Sequence, residues 1–180
     1  MNRQVRDKVF ISYSHKDHQW KDKIKNMLEP SIAGHEIHFW DDTGIETGQN
    51  WKDEITAAMD SACVALLLVS DDFCDSDFIT TVELPLLLAA AEAKKCTIFW
   101  VPIAGESYKN RDDITQFQAE HTAPPLALLD GEHCDHTLRQ ITGKLIETYR
   151  KTKPQNQIKV LSITAAPGDD LQYEKNKIHC

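Results

Sequence analysis

One glutamate in this sequence stands where a carboxylate could do chemistry. Glu83 follows the apolar run 63–69 and lies at the start of a helical pattern of apolar residues that continues to Ala93. In an α/β sheet, ligands bind in the crevice outside the carboxyl ends of the strands. A carboxylate placed there can be a reagent. It can also be a solvated side chain near a helix start, where the positive end of the helix dipole favours a negative charge. The local residues leave both interpretations open.

Other residues that could bind a metal or act in catalysis follow no recognised motif spacing. Four histidines are scattered over a predicted turn, a helix start and a strand, namely His15, His18, His35 and His38. The segment 133–136, His-Cys-Asp-His, lacks the paired CxxC spacing of a zinc site, so we expect a polar loop and no metal. No GxGxxG or Walker motif is present, which argues against a Rossmann dehydrogenase and a P-loop NTPase. No serine or cysteine lies in a nucleophile-elbow motif, and we expect no cofactor.

Composition narrows the class of protein. The chain has 180 residues, with 41% hydrophobic and 27% charged residues, as in globular proteins. Its net charge is −8; residues 151–180 carry a balance of +2, which leaves −10 for the first 150 residues. An acidic domain is a poor candidate for binding nucleic acid. There is no apolar run of the roughly 20 residues that span a bilayer and no signal-peptide pattern. We therefore expect a cytoplasmic protein with no membrane partner and with its five cysteines reduced.

The elements that must position Glu83 follow from periodicity. Apolar runs predict four strands, at 8–14, 36–40, 63–69 and 96–103. Residues 63–69 are apolar throughout, which is typical of a parallel strand covered on both faces. Helical patterns alternate with these strands, so we predict a doubly wound parallel α/β sheet.

Further local features set the boundaries. We expect Asp17 to cap the first helix and Pro30 to end it. Residues 104–136 look like a long connection with one short helix near Gln116, followed by an amphipathic helix to Tyr149. We predict a domain at 1–150, a linker at 151–157, and at 158–180 either the start of an incomplete second domain or a docked tail.

Five short motifs occur in an order that resembles a known family. They are Val-Phe-Ile-Ser-Tyr-Ser-His-Lys-Asp at 9–17, Trp-Asp-Asp at 40–42, Ile-Glu-Thr-Gly at 45–48 with Trp51, Ala-Leu-Leu-Leu-Val-Ser at 65–70, and Ser-Asp-Phe at 76–78 with Glu-Leu-Pro at 83–85. Over residues 8–150 the chain resembles a TIR (Toll/interleukin-1 receptor) domain of the bacterial type. The resemblance implies a flavodoxin-like doubly wound fold, here with a short C-terminal extension. It also makes the loop 41–50 the family's BB loop, through which TIR domains self-assemble.

The resemblance also implies site residues. Some TIR domains only assemble with others, whereas others cleave NAD+ at the nicotinamide bond by means of a glutamate in the helix after the third strand, which Glu83 matches. That pattern often has tryptophan four residues earlier, where this chain has Ile79, and the nearest aromatic is Phe78. The expected substrate contacts are Tyr13, Ser14, His15, Asp42, Trp51, Ser70, Asp77 and Phe78.

The function implied by this resemblance is that of an NAD+ glycohydrolase in bacterial immune defence, activated by TIR self-assembly. Its products would be nicotinamide and ADP-ribose or a cyclic form. Nicotinamide leaves a pyridinium as a neutral molecule and needs no general acid, so one carboxylate that stabilises the oxocarbenium-like transition state suffices. The alternative is a non-catalytic TIR adaptor. A receiver-like module is disfavoured, because Ser70 stands where its phosphoacceptor aspartate would be. We expect the isolated chain to be mostly monomeric and weakly active.

Overall fold

The computed structural model describes residues 5–34, 37–40, 51–117, 119 and 124–152, with the side chain of Trp51 excepted. The predicted BB loop at 41–50, and with it Asp42, lies outside the described residues. So does the segment 153–180, and the predicted linker and second-domain start remain predictions.

Within the described residues, four parallel strands form one sheet in the order β2-β1-β3-β4. The strands are β1 Lys8–Ser12, β2 His38–Trp40, β3 Ala62–Val69 and β4 Thr97–Pro102. Every residue of β3 is buried, as its unbroken apolar run predicts. Since β1 lies between β2 and β3, the direction of winding reverses at β1, and a crevice is expected at the carboxyl end of this strand.

Helices connect the strands. They are α1 His18–Ala33, α2 Trp51–Ser61, α3 Asp71–Cys74, α4 Leu84–Glu92, α5 Asp112–Thr115 and α6 Gly131–Thr152. Short 3₁₀ turns occupy His15–Asp17, Ser107–Asn110 and Leu126–Leu128, and one π-helical turn occupies Ile79–Glu83. Pro30 lies inside the last turn of α1, which continues to Ala33.

The sheet is covered on both faces, and the side chains of β3 alternate between the two cores. Leu66 and Leu68 pack with residues of α1 and α6 on one face. Leu67 and Val69 pack with residues of α2 and α4 on the other. This alternation is the period-2 geometry of a strand, and it confirms the prediction of a doubly wound α/β fold.

The segment 133–136 is helical, so the prediction of a polar loop there is wrong. Helix α6 begins at Gly131, and the side chain of Asp130 accepts a hydrogen bond from the backbone N–H of His133 at 3.0 Å, as an N-cap does. Cys134 then begins a buried stripe that continues through Leu138, Ile141 and Leu145. The polar residues that suggested a loop lie on the other side of the helix.

Two smaller expectations also change. Asp17 occupies the N-cap position of α1 without making a side-chain cap bond. The segment after β3, for which the sequence predicted no helix, forms the short helix α3 with Ser70 as its N-cap. Both differences concern one contact between Asp17 and Ser70, which is described with the site below.

Candidate active site

A π-helical turn carries Glu83. The N–H of Leu84 donates to the carbonyl of Ile79, five residues back, instead of to the residue four back as in an α-helix. Pro85 follows two residues after Glu83 and has no N–H to donate, so the regular ladder cannot be continued across this point. Turns of this kind occur frequently at functional sites. The Glu-Leu-Pro sequence thus favours the π-helical turn that carries Glu83.

The carboxylate of Glu83 is buried and hydrogen-bonded. Its residue is 7% exposed, and the hydroxyl of Ser12 donates to its Oε2 at 2.5 Å. Ser12 is the last residue of β1 and is itself 2% exposed. The carboxylate therefore lies at the carboxyl end of the strand where the winding of the sheet reverses. It is not the solvated glutamate of the alternative interpretation.

Glu83 lines a cavity of about 580 Å³. This volume lies within the range of roughly 300–1,000 Å³ that small-molecule sites occupy. Its walls combine four aromatic residues with three isoleucines and a few polar groups: Phe10, Tyr13, Trp40, Phe78, Ile11, Ile55, Ile79, Ser14, His15, Lys16, Ser76 and Glu83. A buried carboxylate facing a mostly apolar, aromatic cavity can stabilise positive charge on a bound molecule.

The family is shown by sequence comparison. A model of the TIR domain matches residues 9–140, which include all of β1 except Lys8, the residues that line the cavity, and Glu83. The chain belongs to the TIR domain family. TIR domains commonly interact with other TIR domains, and the family includes signalling modules and NAD-cleaving enzymes. A comparison with curated protein sequences found no match.

The TIR fold brings together five of the residues predicted from sequence. Tyr13, Ser14 and His15 follow β1 and form one wall of the cavity, while Phe78 and Glu83 come from the segment after α3. Trp51 begins α2, but its side chain is not among the described parts of the chain.

Ser70 and Asp77 are not among the described residues that line the cavity. The hydroxyl of Ser70 is buried, donates to Asp17 Oδ2 at 2.5 Å and accepts from the N–H of Phe73 at 2.9 Å. Ser70 thus ties the turn after β1 to the start of α3. Asp77 is exposed, and its backbone carbonyl accepts from the hydroxyl of Thr81. Burial raises the pKa of the Asp17 carboxyl above its ordinary value.

Sequence reasoning did not assign Ser12, Trp40 or Lys16 to the candidate site. Ser12 looked like an ordinary strand end, although a hydroxyl at the carboxyl end of a strand was a usable signal. Trp40 was assigned to the second strand and to the Trp-Asp-Asp motif but not to substrate binding, yet its ring stacks on Phe10 and reaches the cavity. Lys16 lies on the same wall as His15 and pairs with Asp72 of α3 at 2.5 Å.

Other chemistry has little support in the described residues. Among them, no group of three or more His, Cys, Asp or Glu side chains could hold a metal ion. Cys74, a thiol near the site, is half-buried in α3, and burial raises its pKa, so it carries no thiolate at neutral pH. None of the described helices is both long and apolar enough to cross a membrane.

Proposed function

We propose that this TIR domain cleaves NAD+ between nicotinamide and ribose, releasing nicotinamide and ADP-ribose or its cyclic form, in bacterial immune defence or signalling. The observation that carries the proposal is the carboxylate of Glu83, 7% exposed, held by Ser12 and facing an aromatic cavity at the carboxyl end of β1. Burying a carboxylate costs free energy even when it accepts hydrogen bonds. A carboxylate that is kept buried beside an open cavity despite this cost is a candidate for a chemical role.

The proposed reaction needs few groups from the protein. The bond between C1′ of the ribose and the pyridinium nitrogen breaks, and its electron pair stays on nitrogen, so nicotinamide leaves neutral. Positive charge then develops on the ribose, where the carboxylate of Glu83 stabilises it. Water adds to C1′ and releases one proton, or a hydroxyl or ring nitrogen of the same molecule adds to give the cyclic product. NAD+ is thus the substrate, and no cofactor takes part.

The charges around the cavity suit a molecule of this polarity. NAD+ has a cationic pyridinium at one end and an anionic diphosphate in the middle. Glu83 supplies negative charge within the cavity, and the ammonium of Lys16, exposed and paired with Asp72 of α3, lies on the wall formed by the turn after β1. This arrangement supports binding with the pyridinium near Glu83 and the diphosphate towards Lys16.

The decisive experiment compares two glutamates of the same helical segment. Concentrated protein is incubated with NAD+, with and without a crowding agent, and nicotinamide release is followed for the wild type, Glu83→Gln and Glu92→Gln. Glu92 is exposed at the end of α4, so its substitution controls for the loss of one charge. We expect release by the wild type and by Glu92→Gln, and a loss of at least about a hundredfold in Glu83→Gln. Release that survives in Glu83→Gln would mean that another group is responsible.

A second candidate is a TIR module that acts only through assembly. The observation in its favour is the outer side of α4, where Pro85, Leu86 and Ala89 are exposed although all three are apolar. Ile79 adds to it, because it stands where the enzymes often have tryptophan. Self-association without nicotinamide release, under any crowding condition, would favour this candidate over the enzyme.

A further inference from the structure

We propose that Trp40 is the platform on which the nicotinamide ring of the substrate stacks, so that it determines which ring the site accepts. The proposal rests on the function proposed above and adds a residue to it. Trp40 is the last residue of β2, and β2 lies next to β1 in the sheet, with Trp40 in register with Phe10. The residue reaches the same cavity as Glu83 from a different part of the chain.

The indole of Trp40 is held by a ring behind it. It stacks on Phe10 with ring centroids 5.2 Å apart and an interplanar angle of 11°. Phe10 is 1% exposed and packed in the core beneath α2 and α4, so its ring cannot easily move. Trp40 is half-buried and lines the cavity. A ring fixed in this way can stack on a ligand at little cost in side-chain entropy.

The chemistry of the bond that breaks selects the nicotinamide ring for this platform. Nicotinamide is attached directly to the ribose carbon that Glu83 must face, whereas adenine lies at the far end of the dinucleotide. The oxidised ring is a cation, and indole attracts a cation more strongly than the other aromatic side chains do. Bond cleavage leaves the ring neutral, so the attraction weakens and the product is released more readily.

The other aromatic residues of the cavity are less suitable. The ammonium group of Lys21 lies 5.8 Å from the centre of the Tyr13 ring, and it would repel a second cation. Phe78 carries a phenyl ring, which binds cations less strongly than indole does. Ile79, which lines the cavity on the turn that carries Glu83, offers no ring at all.

A binding experiment without turnover tests the platform. The full 180-residue chain carrying Glu83→Gln is titrated with nicotinamide mononucleotide, which has the pyridinium but no adenine, and separately with AMP, which has adenine only. Tryptophan fluorescence is followed, because a stacked pyridinium quenches indole emission. The titration is repeated with Trp40→Phe and with Trp100→Phe added. Trp100 is a matched control, since its indole N–H donates to the carbonyl of Phe117 and it is not among the residues lining the cavity.

We expect the mononucleotide to quench the fluorescence, the quenching to vanish with Trp40→Phe, and Trp100→Phe to retain it. We expect AMP to have no such effect. In the active protein, Trp40→Ala should raise KM for NAD+ roughly tenfold and change kcat much less, because the cation–π contact is made in the ground state. Thermal unfolding of each variant, with Trp40→Tyr as a milder substitution, separates loss of the platform from loss of the fold.

Each failure has its own signature. Quenching through Trp40 in a protein that releases no nicotinamide would leave the platform standing and refute the proposed cleavage. Nicotinamide release with KM unchanged in Trp40→Ala, or quenching by the mononucleotide that persists in Trp40→Phe, would refute the platform alone. Quenching by AMP that depends on Trp40 would assign the platform to adenine. The absence of any quenching by the mononucleotide would also overturn it.

Discussion

At the scale of single residues, the contact between Ser12 and Glu83 connects the sheet to the candidate chemistry. A hydrogen bond to a charged group is worth about 1.5–3 kcal/mol, against about 1 kcal/mol for a neutral one. Because both residues are buried, water can replace the serine hydroxyl only poorly. Ser12 is thus expected to contribute both to stability and to the orientation of the carboxylate.

Ser12→Ala is expected to lower the free energy of unfolding by about 1.5–3 kcal/mol. The matched control is Ser61→Ala, because Ser61 is also buried and its hydroxyl donates to a neutral acceptor, the carbonyl of Ala58, at 2.9 Å. The control should lose only about 0.5–1.5 kcal/mol. Urea unfolding of the two variants beside the wild type gives the comparison. Equal losses would show that the charge on Glu83 does not strengthen the bond.

The buried carboxyl of Asp17 predicts how the stability of the fold depends on pH. Burial raises the pKa of its carboxyl from the ordinary value of 3.8. As the pH rises from 3.8 towards the raised value, the unfolded chain releases this proton before the folded one does, so the folded state loses stability. Below 3.8 the carboxyl is protonated in both states and has no such effect.

Asp17→Asn removes this titration and leaves an amide oxygen to accept from Ser70. The variant should therefore gain stability relative to the wild type as the pH rises through that window. Urea unfolding at several pH values between about 3 and 7 measures this difference. A difference that stays constant, or that falls with pH, would contradict the assignment.

At the scale of elements, the loop after β4 is held against α3 by a very close approach. The carboxylate of Asp71 accepts hydrogen bonds from the backbone N–H groups of Glu106 and Ser107 at 3.0 and 2.9 Å. Gly105, just before them, has φ of +72°, and a Cβ added there would lie 2.1 Å from the Asp71 carboxylate. Only glycine fits both the backbone conformation and the space.

Gly105→Ala is expected to destabilise the protein by about 1–3 kcal/mol, through strain and the loss of the Asp71 contacts. Gly143→Ala is the matched control. Gly143 lies inside α6 with nothing within 4 Å of an added Cβ, so alanine should stabilise that helix by about 0.5–1 kcal/mol. Thermal or urea unfolding of the two variants should therefore shift in opposite directions. A shift in the same direction would contradict one of the two explanations.

At the scale of the whole molecule, the outer side of α4 bears on assembly. Leu86 is 46% exposed, and it lies on the helix that directly follows Glu83. An apolar surface of this kind is often an interaction site. TIR domains commonly interact with one another, so the proposed dependence of activity on assembly is tested on this side of α4.

Nicotinamide release per molecule should rise with protein concentration and with crowding. Leu86→Glu should remove that rise without changing the thermal unfolding temperature, because the side chain is exposed. Leu128→Glu is the control, since Leu128 is 74% exposed but lies on the turn before α6. Nicotinamide release and sedimentation, both measured over a dilution series, test whether activity depends on assembly and on Leu86. Full turnover by a dilute monomer would refute the role of assembly.

The sequence by itself determined the fold class, and it singled out Glu83 as the central residue of the candidate site. The apolar run of β3 and the alternation of strands and helical patterns specify a parallel sheet, because a strand that is buried on both faces has apolar residues at nearly every position. Five ordered motifs between residues 9 and 85 led to the TIR family, which the match to residues 9–140 confirms. Periodicity failed at the start of α6, where a few buried positions among polar residues gave too weak a pattern.

Only the tertiary structure decided what surrounds Glu83. Ser12 is 71 residues away from Glu83 along the chain. The two meet because β1 ends beside the cavity that Glu83, on the π-helical turn, also lines. Trp40 joins them because β2 pairs with β1, and Ser70 lies apart because it caps α3. Local patterns report burial and periodicity, whereas these contacts depend on strand order and register. Neither the strand order nor the register is determined by any one segment alone.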